Sequence, residues 1–146
     1  MKKAFTVIEL LIVIAVISIL VSIILPRFKG MQDEGNIAKA KGELRTLQTA
    51  VESYYIHNSR VYPAALTDLT TATPAIIGTT VPDDPFAAAS TSYVYTRGGT
   101  SNHYYIIYSI GPGGNGSAAI SLTNTVTETN GSSCIYVSNM SQDAQP

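Results

Sequence analysis

At 146 residues with a formal net charge of −1, the chain has room for one modest domain; it carries neither the basic excess of a nucleic-acid binder nor an acidic solvating block. Charged residues make up only 13%, low for a soluble domain, and the deficit is concentrated at the N-terminus. The lone Cys134 excludes an intrachain disulfide and offers no metal-binding pair; beside Ile135 and Val137 it reads as a small apolar side chain.

The first element runs from Phe5 to Leu25, with Glu9 as its only charge. As a helix it would be roughly 31 Å long at about 1.5 Å per residue, matching a hydrocarbon core of about 30 Å. Three readings fit such a run. A cleaved secretory signal would explain the basic "MKK", but the stretch is too long for one and no A-x-A site follows. A plain single-span anchor satisfies the length but gains nothing from Glu9, which costs on the order of 2.5–3.5 kcal/mol at mid-bilayer. A helix that rests in the membrane and later packs against copies of itself could recover that cost from a partner cation. If the chain were cut after Ala4, Phe5 would carry a new α-amino group one helical turn from Glu9. In a staggered stack, one subunit's Glu9 could then meet its neighbour's Phe5 ammonium. Such a pair sets register, because a slip strands two charges in an apolar medium.

Pro26 is expected to kink or loosen the helix. A polar break follows around residues 30–35. Helical periodicity then returns: Ile37, Ala40, Leu44, Leu47, Val51, Tyr54 and Tyr55 form an apolar stripe, and Lys39 can pair with Glu43 one turn on. "HNSRVYP" ends this helix near residue 58. "AALTDL" suggests a short helical turn, residues 70–80 a loop, and "VPDDPF" a turn cluster. "SYVYTR" and "HYYIIYSI" read as strands joined through Gly98–Asn102 as a hairpin. In the second, Tyr104, Ile106 and Tyr108 share one face, and Tyr105 and Ile107 the other. "GPGGNG" stops it. "AAISL" and "CIYVS" are further strand candidates across a Thr/Asn/Gly-rich stretch, and the last six residues are expected to fray.

"MKKAFTVIELLIVIAVISIL" resembles the leader and N-terminus of the type IV filament superfamily, which covers type IV pilins and the pseudopilins of type II secretion. The resemblance implies cleavage between Ala4 and Phe5 by a membrane-embedded prepilin peptidase, methylation of the Phe5 amine, the register role of Glu9, and a helix proline at Pro26. The family normally carries Gly before the cut, where this chain has Ala4. A second layer, moderate in specificity, covers Asp84, Pro85 and Phe86, then "YVY", then Tyr108, Ser109 and Gly111; it is similar to the major pseudopilin. Together the two layers span roughly residues 1–114. That family usually places calcium-binding aspartates in the loop after the second strand. Here the loop reads Gly111 to Gly116, with no carboxylate between Asp84 and Glu128, so the calcium site is not carried over and no cofactor is expected.

Enzymatic chemistry is not expected. His57 and His103 fall at a helix end and a strand start, with no nucleophile constellation. Asp83 and Asp84 sit in a proline turn where capping outweighs acid–base work. "GPGGNG" opens no helix that could hold a phosphate. The nine tyrosines read as sheet packing with some exposed faces.

The expected fold is α+β and pilin-like: a long N-terminal helix on a small antiparallel sheet. Residues 1–4 form the leader, 5–29 the membrane and filament-core half, and 30–146 a periplasmic domain. The expected function is a filament subunit, most nearly the major pseudopilin of type II secretion. A surface type IV pilin is the alternative; the absent acidic loop points to it, and the absence of a C-terminal cysteine pair points away. A monomeric membrane-anchored binding domain is the reading from another class. By resemblance the partners are other copies of the chain, minor pseudopilins or pilins, the prepilin peptidase, an inner-membrane platform protein and, through it, an assembly ATPase; no nucleic acid is expected. Loop charge does not decide orientation, since Lys2 and Lys3 face Arg27 and Lys29 across the span. The resemblance puts the polar bulk outside the cytoplasm.

Overall fold

A computed structural model describes residues 5–78, 80–121, 125–129 and 134–140. The chain divides into two units, Met1–Gly35 and Asn36–Pro146. One helix, α1, spans Val7–His57.

Within the first unit the helix begins on Thr6 and Glu9 and runs on through Pro26. Proline has no N–H to give, so the Ser22 carbonyl loses its usual donor there. Ser18 and Ser22 turn their hydroxyls back onto Ile14 O at 2.7 Å and Ile19 O at 2.8 Å, which hides their polarity from an apolar surround. Every described side chain from Phe5 to Leu25 is exposed in the single chain. The polar stretch at residues 30–35 interrupts the apolar pattern but not the helix, and the single long helix expected from the sequence forms. Gly30 and Gly35 each cost a helix about 1 kcal/mol relative to alanine, yet good helix formers such as Met31, Gln32 and Glu34 lie between them.

In the second unit α1 carries the core. Ala40, Leu44, Leu47, Ala50 and Val51 are buried, and Ile37, Tyr54 and Tyr55 pack at the margin, as the spacing predicts. The helix ends at His57. Asn58 caps the last turn by donating from Nδ2 to Tyr54 O at 3.0 Å, and Ser59 and Arg60 take positive φ. A single turn, α2 (Asp68–Thr71), follows, reaching two residues into the stretch expected to be loop. Its Asp68 carboxylate accepts from the Ala64 and Ala65 N–H groups.

Strands β1 (Val94–Gly98) and β2 (Tyr104–Ser109) form the expected hairpin, from Val94 opposite Tyr108 to Gly98 opposite Tyr104. Strand β3 (Ser117–Ile120) pairs with β4 (Val126–Thr129) in a separate two-stranded sheet, and β5 (Ile135–Ser138) pairs with β2. Among the described residues these strand pairings are antiparallel. The Thr/Asn/Gly-rich stretch between the two strand candidates, which carries no strong strand signal, contains β4. What makes it a strand is pairing with β3, which only the fold supplies.

Both faces of β2 are buried. Tyr105 and Ile107 face the α1 core, while Ile106 joins Ala118 and Tyr136 in a second cluster flanked by Tyr108, Ile120, Val126 and Cys134. The helix and the β3–β4 hairpin therefore cover opposite sides of the β1–β2–β5 sheet. Polar bonds tie the layers together. Tyr105 on β2 donates to Glu52 Oε1 at 2.8 Å and Tyr93, just before β1, to Glu43 Oε2 at 2.7 Å, so two tyrosines from the sheet side reach carboxylates on α1. The Lys39–Glu43 pair forms at 3.8 Å. Tyr55, Tyr62, Tyr105 and Tyr95 touch in series, with ring centroids 4.4, 4.9 and 6.1 Å apart; the outer two pairs stack and the Tyr62–Tyr105 pair is tilted at 57°.

Candidate functional site

The chemistry-bearing residues fall in two places, one in each unit. At the start of α1, Thr6 and Glu9 form a reciprocal cap. The Thr6 N–H and hydroxyl both donate to Glu9 Oε2 at 3.0 Å, and the Glu9 N–H donates to Thr6 Oγ1 at 3.3 Å. This is the T-x-x-E capping box, and it gives the Glu9 carboxylate a partner within its own chain. The signature is legible in "TVIE". Phe5 is 83% exposed beside this cap. Ala4 lies outside the described residues.

The second place gathers most of the turn and strand residues singled out above. Asp84 is only 4% exposed. Its Oδ1 accepts from the Ser109 hydroxyl at 2.7 Å and the Phe86 N–H at 3.0 Å; its Oδ2 accepts from the Ile110 N–H at 3.0 Å. Ser109, fully buried, accepts in turn from the Gly111 N–H at 3.1 Å. Phe86 packs on the main core, and Tyr108 lies across from Val94 and Tyr136. Gly111 sits at φ 69°, where a side chain would be strained, and its carbonyl closes the turn by accepting from Gly114 N at 2.9 Å. A buried carboxylate is costly unless it is well hydrogen-bonded. Asp84 meets that condition by drawing the 84–86 turn and the end of β2 onto one anion. Asp83 points the other way in role: it is exposed and bridges to Ser92.

Gly116 ends the glycine-rich loop, and its need for glycine is tertiary. A β-carbon there would lie 2.7 Å from Ile110 O and 2.9 Å from Cys134 N, so the loop passes between two backbones that have no room to give. Cys134 is half-buried, and burial, with Glu128 and Asp84 nearby, pushes its thiol up to about 11. His57 is exposed and its Nδ1 bonds to Ser53 O at 2.8 Å; His103 is exposed at the hairpin. Among the described residues no group of three His, Cys, Asp or Glu side chains is placed to hold a metal ion.

A long apolar helix entering a helix-on-sheet domain is the architecture of a pilin-like subunit. The family "Type II secretion system (T2SS), protein G" matches residues 27–121, and the "Prokaryotic N-terminal methylation motif" matches residues 1–25. The chain belongs to the type II secretion protein G family, within the type IV pilin and pseudopilin superfamily. It is 32% identical over 62 residues to the type II secretion system core protein G of Klebsiella michiganensis, covering 42% of this chain and 43% of that one. It is 34% identical over 64 residues to a fimbrial protein of Pseudomonas aeruginosa, covering 44% and 42%. Against the type IV major pilin protein PilA of Myxococcus xanthus it is 40% identical over 59 residues, covering 40% and 27%. The chain thus spans less than half the length of these relatives. No solved structure matches it. By family the chain is of the pilin or pseudopilin type. Its helix α1 is long and apolar enough to cross a membrane.

Proposed function

We propose that the chain is the major pseudopilin of a type II protein secretion system. Residues 5–29 hold it in the inner membrane with the 30–146 domain in the periplasm. Prepilin peptidase cuts between Ala4 and Phe5, the Phe5 amine is methylated, and subunits join a periplasmic helical filament that drives export. One observation carries this reading: the methylation motif and the protein G match fall on successive segments, residues 1–25 and 27–121. The fimbrial and PilA relatives favour a second reading, a surface pilus.

Moving an apolar helix from lipid into a protein bundle yields little hydrophobic gain. Assembly therefore draws on packing, on the Glu9 charge and on an ATPase acting through a platform protein. In the single chain Glu9 is held by neutral donors of Thr6. A neighbour's Phe5 ammonium is a stronger, charge-assisted donor, so assembly exchanges one for the other.

Glu9→Gln retains an oxygen for Thr6 but no charge, whereas Glu9→Ala loses both. In the native host both variants are expected to insert and be processed yet form few filaments. Normal filaments from Glu9→Gln would refute the charge exchange. Intact mass reports the loss of residues 1–4 and the added methyl. Deleting the gene separates the two filament readings: loss of protein export supports the pseudopilus, and loss of surface fibres with export intact supports the pilus.

A further inference from the structure

The family resemblance places calcium in the loop after β2, but the donor set there does not suit it. Calcium takes six to eight oxygens, carboxylates prominent among them. Residues 110–116 contribute none of the latter. The buried carboxylate beside the loop is Asp84, and both of its oxygens are turned toward donors: Ser109 Oγ, Phe86 N and Ile110 N. A cation approaching those lone pairs would face N–H and O–H dipoles aimed at it. Glu128 stands exposed on β4, paired across to Ala118.

We propose that this loop holds its shape without a divalent cation, with the Asp84 carboxylate as its internal organiser. The physics is inverted relative to a calcium loop. There a cation gathers oxygens; here an anion gathers N–H and O–H groups from the 84–86 turn and the end of β2. The Gly116 N–H donates to Ile110 O at 2.9 Å and closes the far end, where the absence of a side chain lets it nest against Cys134. The loop's geometry thereby becomes independent of the calcium around it. This inference starts from the family membership and holds for either kind of filament.

The test is thermal unfolding of the purified full chain in detergent, with millimolar calcium or with EDTA. A site filled at a hundred times its Kd would raise Tm by several degrees. The expected result is no difference beyond about 1 °C. Asp84→Asn keeps the shape and removes the anion, and should lower Tm by several degrees equally in both buffers. If that variant does not fold, Ser109→Ala is the milder probe, read by faster amide exchange at Phe86, Ile110 and Gly111. A calcium-dependent rise in Tm reversed by EDTA would overturn the proposal, as would an unchanged Tm in Asp84→Asn or unchanged exchange in Ser109→Ala. Any of these failures leaves the export reading standing, because that one is judged by secretion in the host.

Discussion

Glu52 offers a direct measure of what binds the helix to the sheet. Its Oε1 accepts the Tyr105 hydroxyl at 2.8 Å and its Oε2 the Tyr62 hydroxyl at 3.4 Å. Tyr105 is fully buried, whereas Glu52 keeps some access to solvent. The two partners are therefore not equivalent. Glu52→Ala leaves a buried O–H without its acceptor, a loss of about 1–3 kcal/mol. Tyr105→Phe removes the donor but leaves a carboxylate that water can reach, about 1 kcal/mol. Glu52→Gln keeps an acceptor oxygen and should cost least. The assay is urea unfolding of the full chain in detergent, followed by near-ultraviolet circular dichroism of the tyrosines, with the double variant closing the cycle. The expected order of destabilisation is Glu52→Ala, then Tyr105→Phe, then Glu52→Gln. A Glu52→Ala variant as stable as the parent would refute the reasoning and leave packing alone to hold the layers.

Gly116→Ala should destabilise by about 2–3 kcal/mol, since its β-carbon meets main-chain atoms that cannot rotate away; an unchanged denaturation midpoint would show that the loop can shift. Alkaline pH should weaken the fold. Burial, then the hydrogen bonds and charges of Glu52 and Glu43, hold Tyr105 and Tyr93 protonated well above the usual tyrosine range near 10. Their contribution is complete below pH about 10. Above it the unfolded chain releases protons that the folded chain keeps, and stability falls by at most about 1.4 kcal/mol per pH unit for each. Denaturant midpoints that stay flat to pH about 11.5 would contradict this. Alkylation of Cys134 should rise with a midpoint at about 11; a midpoint near 8.5, the free-thiol value, would mean that its surroundings are open.

The helix stripe, the β1–β2 hairpin and the unusual carboxylate in the apolar run were all legible along the chain, because each rests on local periodicity or on one residue out of place. Leu44, Leu47 and Val51 face the core for the reason their spacing states. The single long helix was legible as well, its continuity through Gly30 and Gly35 resting on two weak local penalties outweighed by helix on either side. β4 was not legible: its Thr-rich sequence becomes a strand only opposite β3. Asp84, Ser109 and Gly111 could be singled out by resemblance, but that they converge on one buried anion depends on contacts 25 residues apart along the chain. The same holds for Gly116, whose need for glycine comes from the Ile110 carbonyl and from Cys134 on a distant segment. Local chemistry settled where this protein is apolar and where it turns. Tertiary structure decided which polar groups lose water together, and that loss makes one aspartate the organiser of a loop.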